Sequence, residues 1–255
     1  HLFMCDSKGL ITASRENLTP EKALFAQEHE PCGLSDVMKD ADVFVGLSKG
    51  GVVSKEMVKS MALDPIVFAL ANPDPEIIYK DAMAAREDII MATGRSDNPN
   101  QVNNVLGFPF IFRGALDVRA TAINEEMKLA AVRAIAELTK EPVPEMVNLA
   151  YGESNLSFGR TYIIPKPFDP RLITTVAPAV AKAAMDSGVA KNPITNWKAY
   201  NRELSDRLGR DDKFLRLLNE NASIKPQRVV FTEGDQYRIL KAAEILLSAG
   251  TAVPI

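Results

Sequence analysis

Residues 41–46, ADVFVG, and residues 65–71, PIVFALA, decide the fold class of this 255-residue chain. Both stretches are apolar at even and odd positions, which is typical of strands buried on both faces of a parallel sheet. On both sides of these stretches, short apolar runs alternate with segments of helical periodicity. Such alternation indicates parallel strands covered by helices. We predict strands at Leu2–Cys5, Asp42–Gly46, Ile66–Ala71 and Ile89–Ala92, and helices at Pro20–Glu28, Lys55–Ala62 and Glu76–Ala85.

One expected signature of a dinucleotide-binding sheet is absent from the sequence. The turn G-x-G-x-x-G/A would hold a pyrophosphate, but Gly46, Gly50 and Gly51 of GLSKGG have a different spacing. We interpret GLSKGG as another strand-to-helix turn at the same sheet edge, while an ordinary connection in which glycine supplies positive φ stays open. The predicted fold is α/β: the later part of a Rossmann-like doubly wound parallel sheet, a helical C-terminal extension and the start of a second α/β domain.

Composition limits the function classes. A chain with 46% apolar and 25% charged residues is expected to form one to two globular units. Its net charge of −3 argues against nucleic acid or an anionic membrane surface as the main partner. Only Cys5 and Cys32 carry thiols and no apolar run approaches a bilayer span, so a cytoplasmic setting is predicted. With only His1 and His29 besides, no His/Cys metal cluster can be assembled.

A polar loop follows the predicted strand at Ile89–Ala92 and contains Asn103 and Asn104. Two adjacent side-chain amides can hold a small carboxylate by hydrogen bonds without adding charge, and open α/β sheets bind ligands at the carboxyl ends of their strands. The alternative is that both residues only shape a turn.

Two other strand ends carry polar residues. Asp6 follows the first predicted strand, where a carboxylate can accept a hydrogen bond from a ribose hydroxyl and so favour NAD. Asn72 follows a buried strand and precedes Pro73, which biases it toward an extended conformation and directs its amide to the carboxyl edge. An Asn-Pro turn initiator is the alternative.

Several motifs in order carry a family resemblance. They are LITASRENLTPEKALFAQEH, GLSKGGVVSKEMV, VFALANPDPEI, the Asn103–Asn104 loop and YIIPKPFDPRLITTVAPAVAKAAMDSGVA. Together they resemble the malic enzymes, in the bacterial hybrid type that carries a phosphate acetyltransferase-like domain after the malic part. The resemblance covers Leu2 to Ile255, and several ordered motifs are more specific than one glycine pattern.

The resemblance implies roles for individual residues. Asn103 and Asn104 would bind the substrate carboxylates beside the nicotinamide, with Asn103 also contacting the cofactor. Asn72 would contact the nicotinamide side or the substrate. Ser7 and Lys22 match positions that accompany recognition of the NADP 2′-phosphate, which a hydroxyl and an ammonium complement, whereas Asp6 alone would repel it. We therefore predict NADP, with NAD as the alternative. Without the resemblance, Lys22 would be a solvated helix residue and Asp6 a strand-end cap.

The resemblance also implies a reaction: hydride transfer from C2 of malate to NADP, then decarboxylation to pyruvate and carbon dioxide assisted by Mg²⁺ or Mn²⁺. The family's catalytic Tyr and Lys and its metal ligands belong to segments N-terminal to this chain. We therefore assign no catalytic residue and no metal ligand here, and infer from the opening at His1 that a larger protein has been cut. We interpret Arg160, Lys166 and Arg171 as solvated charges rather than anion ligands.

We predict four segments: 1–150 as the NAD(P)-binding domain, 151–195 as the end of the malic part, 196–222 as a helical linker and 223–255 as the start of the acetyltransferase-like domain. A core-facing helical stripe is predicted at Ile123, Met127, Ala130, Ala134 and Leu138, a helix at Arg171–Ser187, and a linker stripe at Leu204, Leu208, Leu215 and Leu218.

The last segment reads as strand, helix and incipient strand, too small for acetyltransferase activity by itself. Its resemblance lies in Glu233 and Gly234 after the strand and Arg238 on the helix. Malate and pyruvate, a homo-oligomer and an acyl-CoA effector are the partners that the resemblance implies. The alternative function is a non-catalytic module that senses a nucleotide or an acyl-CoA.

Overall fold

The computed structural model describes residues 1–208 and 213–255, which divide into two units: 1–104 with 158–167, and 105–157 with 168–255. The strands are β1 (Cys5–Asp6), β2 (Gly9–Leu10), β3 (Val43–Gly46), β4 (Ile66–Ala69), β5 (Ile90–Thr93), β6 (Gln227–Val229) and β7 (Ala252–Pro254). The helices are α1 (Pro20–Ala23), α2 (Leu34–Met38), α3 (Lys55–Ser60), α4 (Tyr79–Ala85), α5 (Phe108–Asp117), α6 (Glu125–Lys140), α7 (Glu145–Tyr151), α8 (Arg171–Asp186), α9 (Trp197–Asp206), α10 (Lys213–Ile224) and α11 (Tyr237–Ser248).

The first unit is built on a parallel sheet, as predicted, and its strand order is β3-β4-β5. Val43 pairs with Ile66 and Ile66 with Ile90, so the three strands run in register. α3 and α4 provide the crossovers that parallel strands require. A cluster of buried apolar side chains that includes Met38, Val58, Val67, Ala82 and Met91 packs these helices on the sheet.

β3 corrects the expectation that both central strands are buried on both faces. The side chains of Val43 and Val45 leave 51% and 55% of their residue surface exposed, whereas Val67 and Ala69 of β4 are fully buried. The reason is position: β4 lies between two strands, and β3 pairs with β4 alone in the described sheet. An apolar sequence does not distinguish an edge strand from a central one.

The segment before the sheet differs most from the prediction. β1 does not join the parallel sheet but pairs antiparallel with β2 across the turn at Ser7 and Lys8, because so short a connection permits only an antiparallel pair. The helix predicted at Pro20–Glu28 ends at Ala23. It cannot continue through Gln27, whose N–H donates to Ile11 O at 3.1 Å and whose carbonyl accepts from Ala13 N at 2.9 Å. The short helix α2 was not predicted.

The second unit is mainly helical, with α8 packed against α5 and α6. The helix predicted at Arg171–Ser187 is confirmed as α8. Of the predicted stripe, Met127, Ala130, Ala134 and Leu138 lie on α6, where Met127 and Leu138 are fully buried, whereas Ile123 precedes that helix. Close packing of α5 on α8 depends on Gly114. A Cβ atom there would lie 2.4 Å from the Ala177 carbonyl oxygen.

Helix α9 packs on α8 of its own unit. Tyr200 and Leu204 of α9 are buried against Ala177 of α8, and the Tyr200 hydroxyl donates to Asp117 Oδ2 at 2.7 Å. Burial raises the pKa of Tyr200. Of the predicted linker stripe, Leu204 is buried and Leu218 is exposed, while Leu215 lies outside the residues whose side chains are described.

The C-terminal residues form the predicted strand, helix and strand. β6 and β7 pair in parallel, with Gln227 opposite Ala252 and Val229 opposite Pro254, and α11 connects them. Among the described residues, no helix combines the length and apolar character needed to cross a membrane.

Gly114→Ala should destabilise the second unit by about 1–3 kcal/mol, because the added methyl group meets backbone atoms of α8 that cannot rotate away. Gly107→Ala, at the start of the same helix, meets its nearest atom at 3.6 Å and should cost less than about 1 kcal/mol. The measurement is urea unfolding of both variants. Equal losses of unfolding free energy would show that close packing at Gly114 is not the cause.

Candidate functional site

Three loops leave the same edge of the parallel sheet. Residues 47–54 follow β3, residues 70–78 follow β4 and residues 94–103 follow β5. Because the three strands are parallel, the carboxyl edge carries all three loops, which is where open α/β sheets bind ligands. Asn72 lies in the second loop and Asn103 in the third, which also leads into Asn104.

The loop after β5 is held by Asn100, a residue that the sequence reasoning did not select. Its side chain is buried, and its Nδ2 donates to Met91 O at 3.0 Å and to Arg160 O at 2.7 Å. Its Oδ1 accepts from Ile163 N at 2.9 Å. These bonds use both ends of the amide and tie the loop to β5 and to the segment 160–163. The only sequence signal for such a role is a second Asn in an Asn-rich loop.

Backbone hydrogen bonds also fix the part of the loop that immediately precedes Asn103 and Asn104. Val102 N donates to Thr93 O at 2.8 Å, and Gln101 forms a parallel bridge with Thr93. Asn103 and Asn104 come directly afterwards, are exposed, and lead into one 3-10 turn at Asn104–Leu106. The pair is therefore carried by a loop whose base is fixed to the sheet, and both residues are exposed.

The loops after β3 and β4 are joined to each other. Gly51 N donates to Pro75 O at 3.1 Å, and Val53 N donates to Glu76 O at 3.0 Å. Gly51 has a φ of 74°, which agrees with the alternative that glycine supplies positive φ in the GLSKGG turn. Asn72 is exposed and its bond to Pro73 is cis.

Asp6 is the centre of an ion-pair group in the first unit. Its Oδ2 accepts from Lys22 Nζ at 2.7 Å and its Oδ1 accepts from Arg15 at 2.9 Å. The hydrogen bond from Lys22, helped by those from Lys8 N–H and Arg15, holds the pKa of Asp6 well below its usual range. Ser7 lies beside Asp6 in the exposed turn between β1 and β2.

This group brings together Asp6 and Lys22, two of the residues predicted from sequence, and adds Arg15, which was missed. Arg15 lies nine residues from Asp6, and no periodicity of strand or helix relates the two positions. With two cations around one carboxylate, the group has a net charge of +1. It can therefore present both a carboxylate acceptor and excess positive charge to a ligand.

Two basic residues after Gly159, Arg160 and Arg171, form ion pairs with acidic side chains. Arg160 forms an ion pair with Asp64 and donates to Asp88 O, at the opposite edge of the sheet. Arg171 is not a solvated charge as predicted. It forms an ion pair with Asp169, whose side chain is fully buried, and the distance from Nη2 to Oδ2 is 2.7 Å. A buried carboxylate requires such a partner.

Metal-ligand chemistry does not fit the part of the chain that the structure describes. Residues 1–208 and 213–255 contain no group of three or more His, Cys, Asp or Glu side chains arranged to hold a metal ion. We therefore derive no step through a metal from these residues.

Fold and loop placement together define a class, namely an α/β protein whose loops gather at the carboxyl ends of parallel strands, the edge at which open α/β sheets bind ligands. Residues 1–150 match the family described as malic enzyme, NAD binding domain. The chain belongs to the malic enzyme family and carries its NAD-binding domain.

Similar proteins agree with this assignment. The NADP-dependent malic enzyme of Salmonella typhimurium is 54% identical over all of this chain, which covers 34% of that enzyme. An NAD-dependent malic enzyme of Rhizobium meliloti is 49% identical, again over all of this chain and 33% of that enzyme. The crystal structure of the Entamoeba histolytica malic enzyme has a TM-score of 0.69 and 31% identity, covering 97% of this chain and 48% of that one. This chain thus spans about a third of the length of the curated relatives.

Asp6→Asn should change how the stability of the protein depends on pH. Because the folded state lowers the pKa of Asp6, its carboxylate stabilises the fold at every pH above its unfolded pKa of about 4, and the contribution is lost as pH falls below that. The thermal midpoint of the wild type should therefore exceed that of Asp6→Asn above about pH 5 and approach it in more acidic solution.

The matched control is Asp40→Asn, since Asp40 is exposed and has a positive φ of 57° that Asn tolerates. The difference in thermal midpoint between wild type and Asp40→Asn should vary less with pH than that between wild type and Asp6→Asn. A gap between wild type and Asp6→Asn that stays constant from pH 6 to about pH 3 would contradict the ion-pair interpretation.

Proposed function

We propose that this chain supplies cofactor and substrate contacts in an NADP-dependent malic enzyme, which converts malate to pyruvate and carbon dioxide. The observation that carries the proposal is the placement of Asn72, Asn103 and Asn104 on loops from one edge of the parallel sheet, inside or beside a malic enzyme NAD-binding domain. NADP supplies the hydride acceptor when it is bound.

Asn103 and Asn104 bind the malate carboxylates in this proposal. Both residues are exposed and lie beyond the fixed base of the loop, at the sheet edge where a small ligand would bind. Neutral donors hold a carboxylate without the strong attraction of a cation, and the product can leave readily. Asn72 on the neighbouring loop contacts the nicotinamide side or the substrate.

Asp6, Ser7 and Lys22 bind the adenosine end of the cofactor, with Arg15 added from the ion-pair group. The +1 group removes the objection that Asp6 repels a 2′-phosphate, because Lys22 and Arg15 more than neutralise the carboxylate. The Ser7 hydroxyl adds a donor in the adjacent turn. The same Asp6 can accept from an unmodified ribose hydroxyl, so NAD is bound more weakly rather than excluded.

Finer proposals concern the segments after this domain, its effector, its location and its oligomeric state. The segment 223–255 begins a phosphate acetyltransferase-like domain, supported by its parallel strand–helix–strand unit. We also propose that the segments of the chain end at residues 150, 195 and 222. An acyl-CoA effector would act at the acetyltransferase-like domain. The enzyme is a cytoplasmic homo-oligomer, in keeping with free Cys5 and Cys32 and the family resemblance. Light scattering of the full-length protein with and without acetyl-CoA tests the oligomer and the effector.

Asn104→Ala in the full-length protein should lower kcat/KM for malate by about 10- to 100-fold, since removing a hydrogen bond to a charged group costs about 1.5–3 kcal/mol. The measurement is malate-dependent NADP reduction with Mg²⁺ or Mn²⁺. Asn192→Ala, an exposed Asn outside the candidate site, should leave the rate unchanged. Unchanged kcat and KM for malate in a folded Asn104→Ala variant would overturn the substrate assignment and favour a sensing module.

Lys22→Gln should raise the Kd for NADP at least about tenfold while changing the Kd for NAD far less, because a charged hydrogen bond to phosphate is lost and Asp6 keeps only Arg15. Fluorescence titration with the reduced cofactors measures both constants. Lys59→Gln, at an exposed lysine of α3, is the matched control. Equal weakening of both cofactors by Lys22→Gln would remove this basis for preferring NADP.

A further inference from the structure

Glu76 is a fully buried acidic residue that the assignments above leave without a function. Its Oε1 accepts from Ser48 N at 2.8 Å and its Oε2 accepts from Ala71 N at 3.0 Å. Ser48 lies in the loop after β3, and Ala71 lies in the loop after β4 immediately before Asn72. One carboxylate therefore holds a backbone amide in each of two neighbouring loops.

The fit around this carboxylate is close. A Cβ atom at Gly46, the last residue of β3, would lie 2.3 Å from Glu76 Cδ, so only glycine leaves room for the carboxyl group. The backbone of Glu76 is fixed as well, because its carbonyl accepts from Val53 N. The side chain is thus held at the carboxyl end of β3 and has little freedom to move.

Burying a carboxylate costs free energy because the charged group loses its hydration, and an apolar side chain in the same space would avoid that cost. What the carboxylate provides is two acceptors that face two donors on separate loops. A carboxylate accepts at both oxygens, whereas an amide of the same shape accepts at one end and donates at the other. Glu is therefore suited to fixing both loops at once, and Gln is not.

We infer that Glu76 is a positioning residue that holds the Asn72 loop, and so the Asn72 amide, in the geometry needed for hydride transfer between malate and the nicotinamide. The inference rests on the proposed function. A displacement of about 1 Å at a reacting centre can reduce a rate about 100-fold, so loss of one loop contact suffices to matter. The cross-links from Gly51 to Pro75 and from Val53 to Glu76 are backbone bonds and persist in a side-chain variant.

The test is a double-mutant cycle in the full-length protein with Glu76→Gln, Asn72→Ala and both together. Malate-dependent NADP reduction gives kcat and KM, and circular dichroism with a thermal midpoint establishes that each variant is folded. Glu76→Gln should lower kcat/KM at least about tenfold at a temperature where the protein is folded. The double variant should be no slower than Asn72→Ala, because a positioning residue has nothing to position once the amide is gone.

The matched control is Glu87→Gln, the same chemical change at an exposed residue between α4 and β5, at the opposite sheet edge. It should leave kcat/KM unchanged. If Glu76→Gln lowers only the thermal midpoint and not kcat/KM, or if the two losses multiply in the double variant, the inference is wrong and Glu76 is structural. An inert Asn72→Ala would likewise overturn it.

The failure of the proposed function is a separate outcome, because it would appear as a wild-type protein that does not reduce NADP with malate. In that case the same variants are compared by NADPH fluorescence. A weaker Kd in both single variants with no further loss in the double variant supports the positioning role. A Kd that Glu76→Gln does not change overturns it.

Discussion

The parallel pairing of β4 with β3 on one side and β5 on the other is the constraint on which the site depends. Parallel strands require a crossover to return the chain, so each strand must end at the same edge of the sheet. The helices α3 and α4 bring the chain back to the amino ends of the next strands, and the polar loops lie at the carboxyl ends. Asn72 and Asn103 are 31 positions apart in the chain and reach one sheet edge only because of this register.

Two buried polar side chains convert that edge into a fixed arrangement of loops. Glu76 joins the loops after β3 and β4 through two backbone amides, and Asn100 joins the loop after β5 to β5 itself and to residues 160–163. Each side chain uses both of its polar ends on backbone groups of the loops that it joins. The exposed Asn residues are therefore supported by buried polar contacts rather than by apolar packing.

The ion-pair group around Asp6 shows that the ligand preference of one charged residue cannot be predicted from that residue alone. Asp6 considered alone favours a ribose hydroxyl and opposes a phosphate, and Lys22 considered alone favours the phosphate. In the structure both belong to one group with Arg15, whose net charge is +1. The electrostatic character of the site is a property of three residues separated by up to 16 positions, not of any one of them.

Sequence by itself determined the α/β class, the positions of β3, β4 and β5, the helix α8 and the C-terminal strand–helix–strand, because apolar runs and periodicity report directly on local structure. The ordered motifs also identified the family. Only the tertiary structure decided that β1 turns back on β2, that β3 pairs with β4 alone in the described sheet, and that Arg171 binds a buried Asp169. The contacts of Arg15, Glu76 and Asn100 also depend on chain packing, because hydrogen bonds between distant residues leave no periodic signal in the order of amino acids.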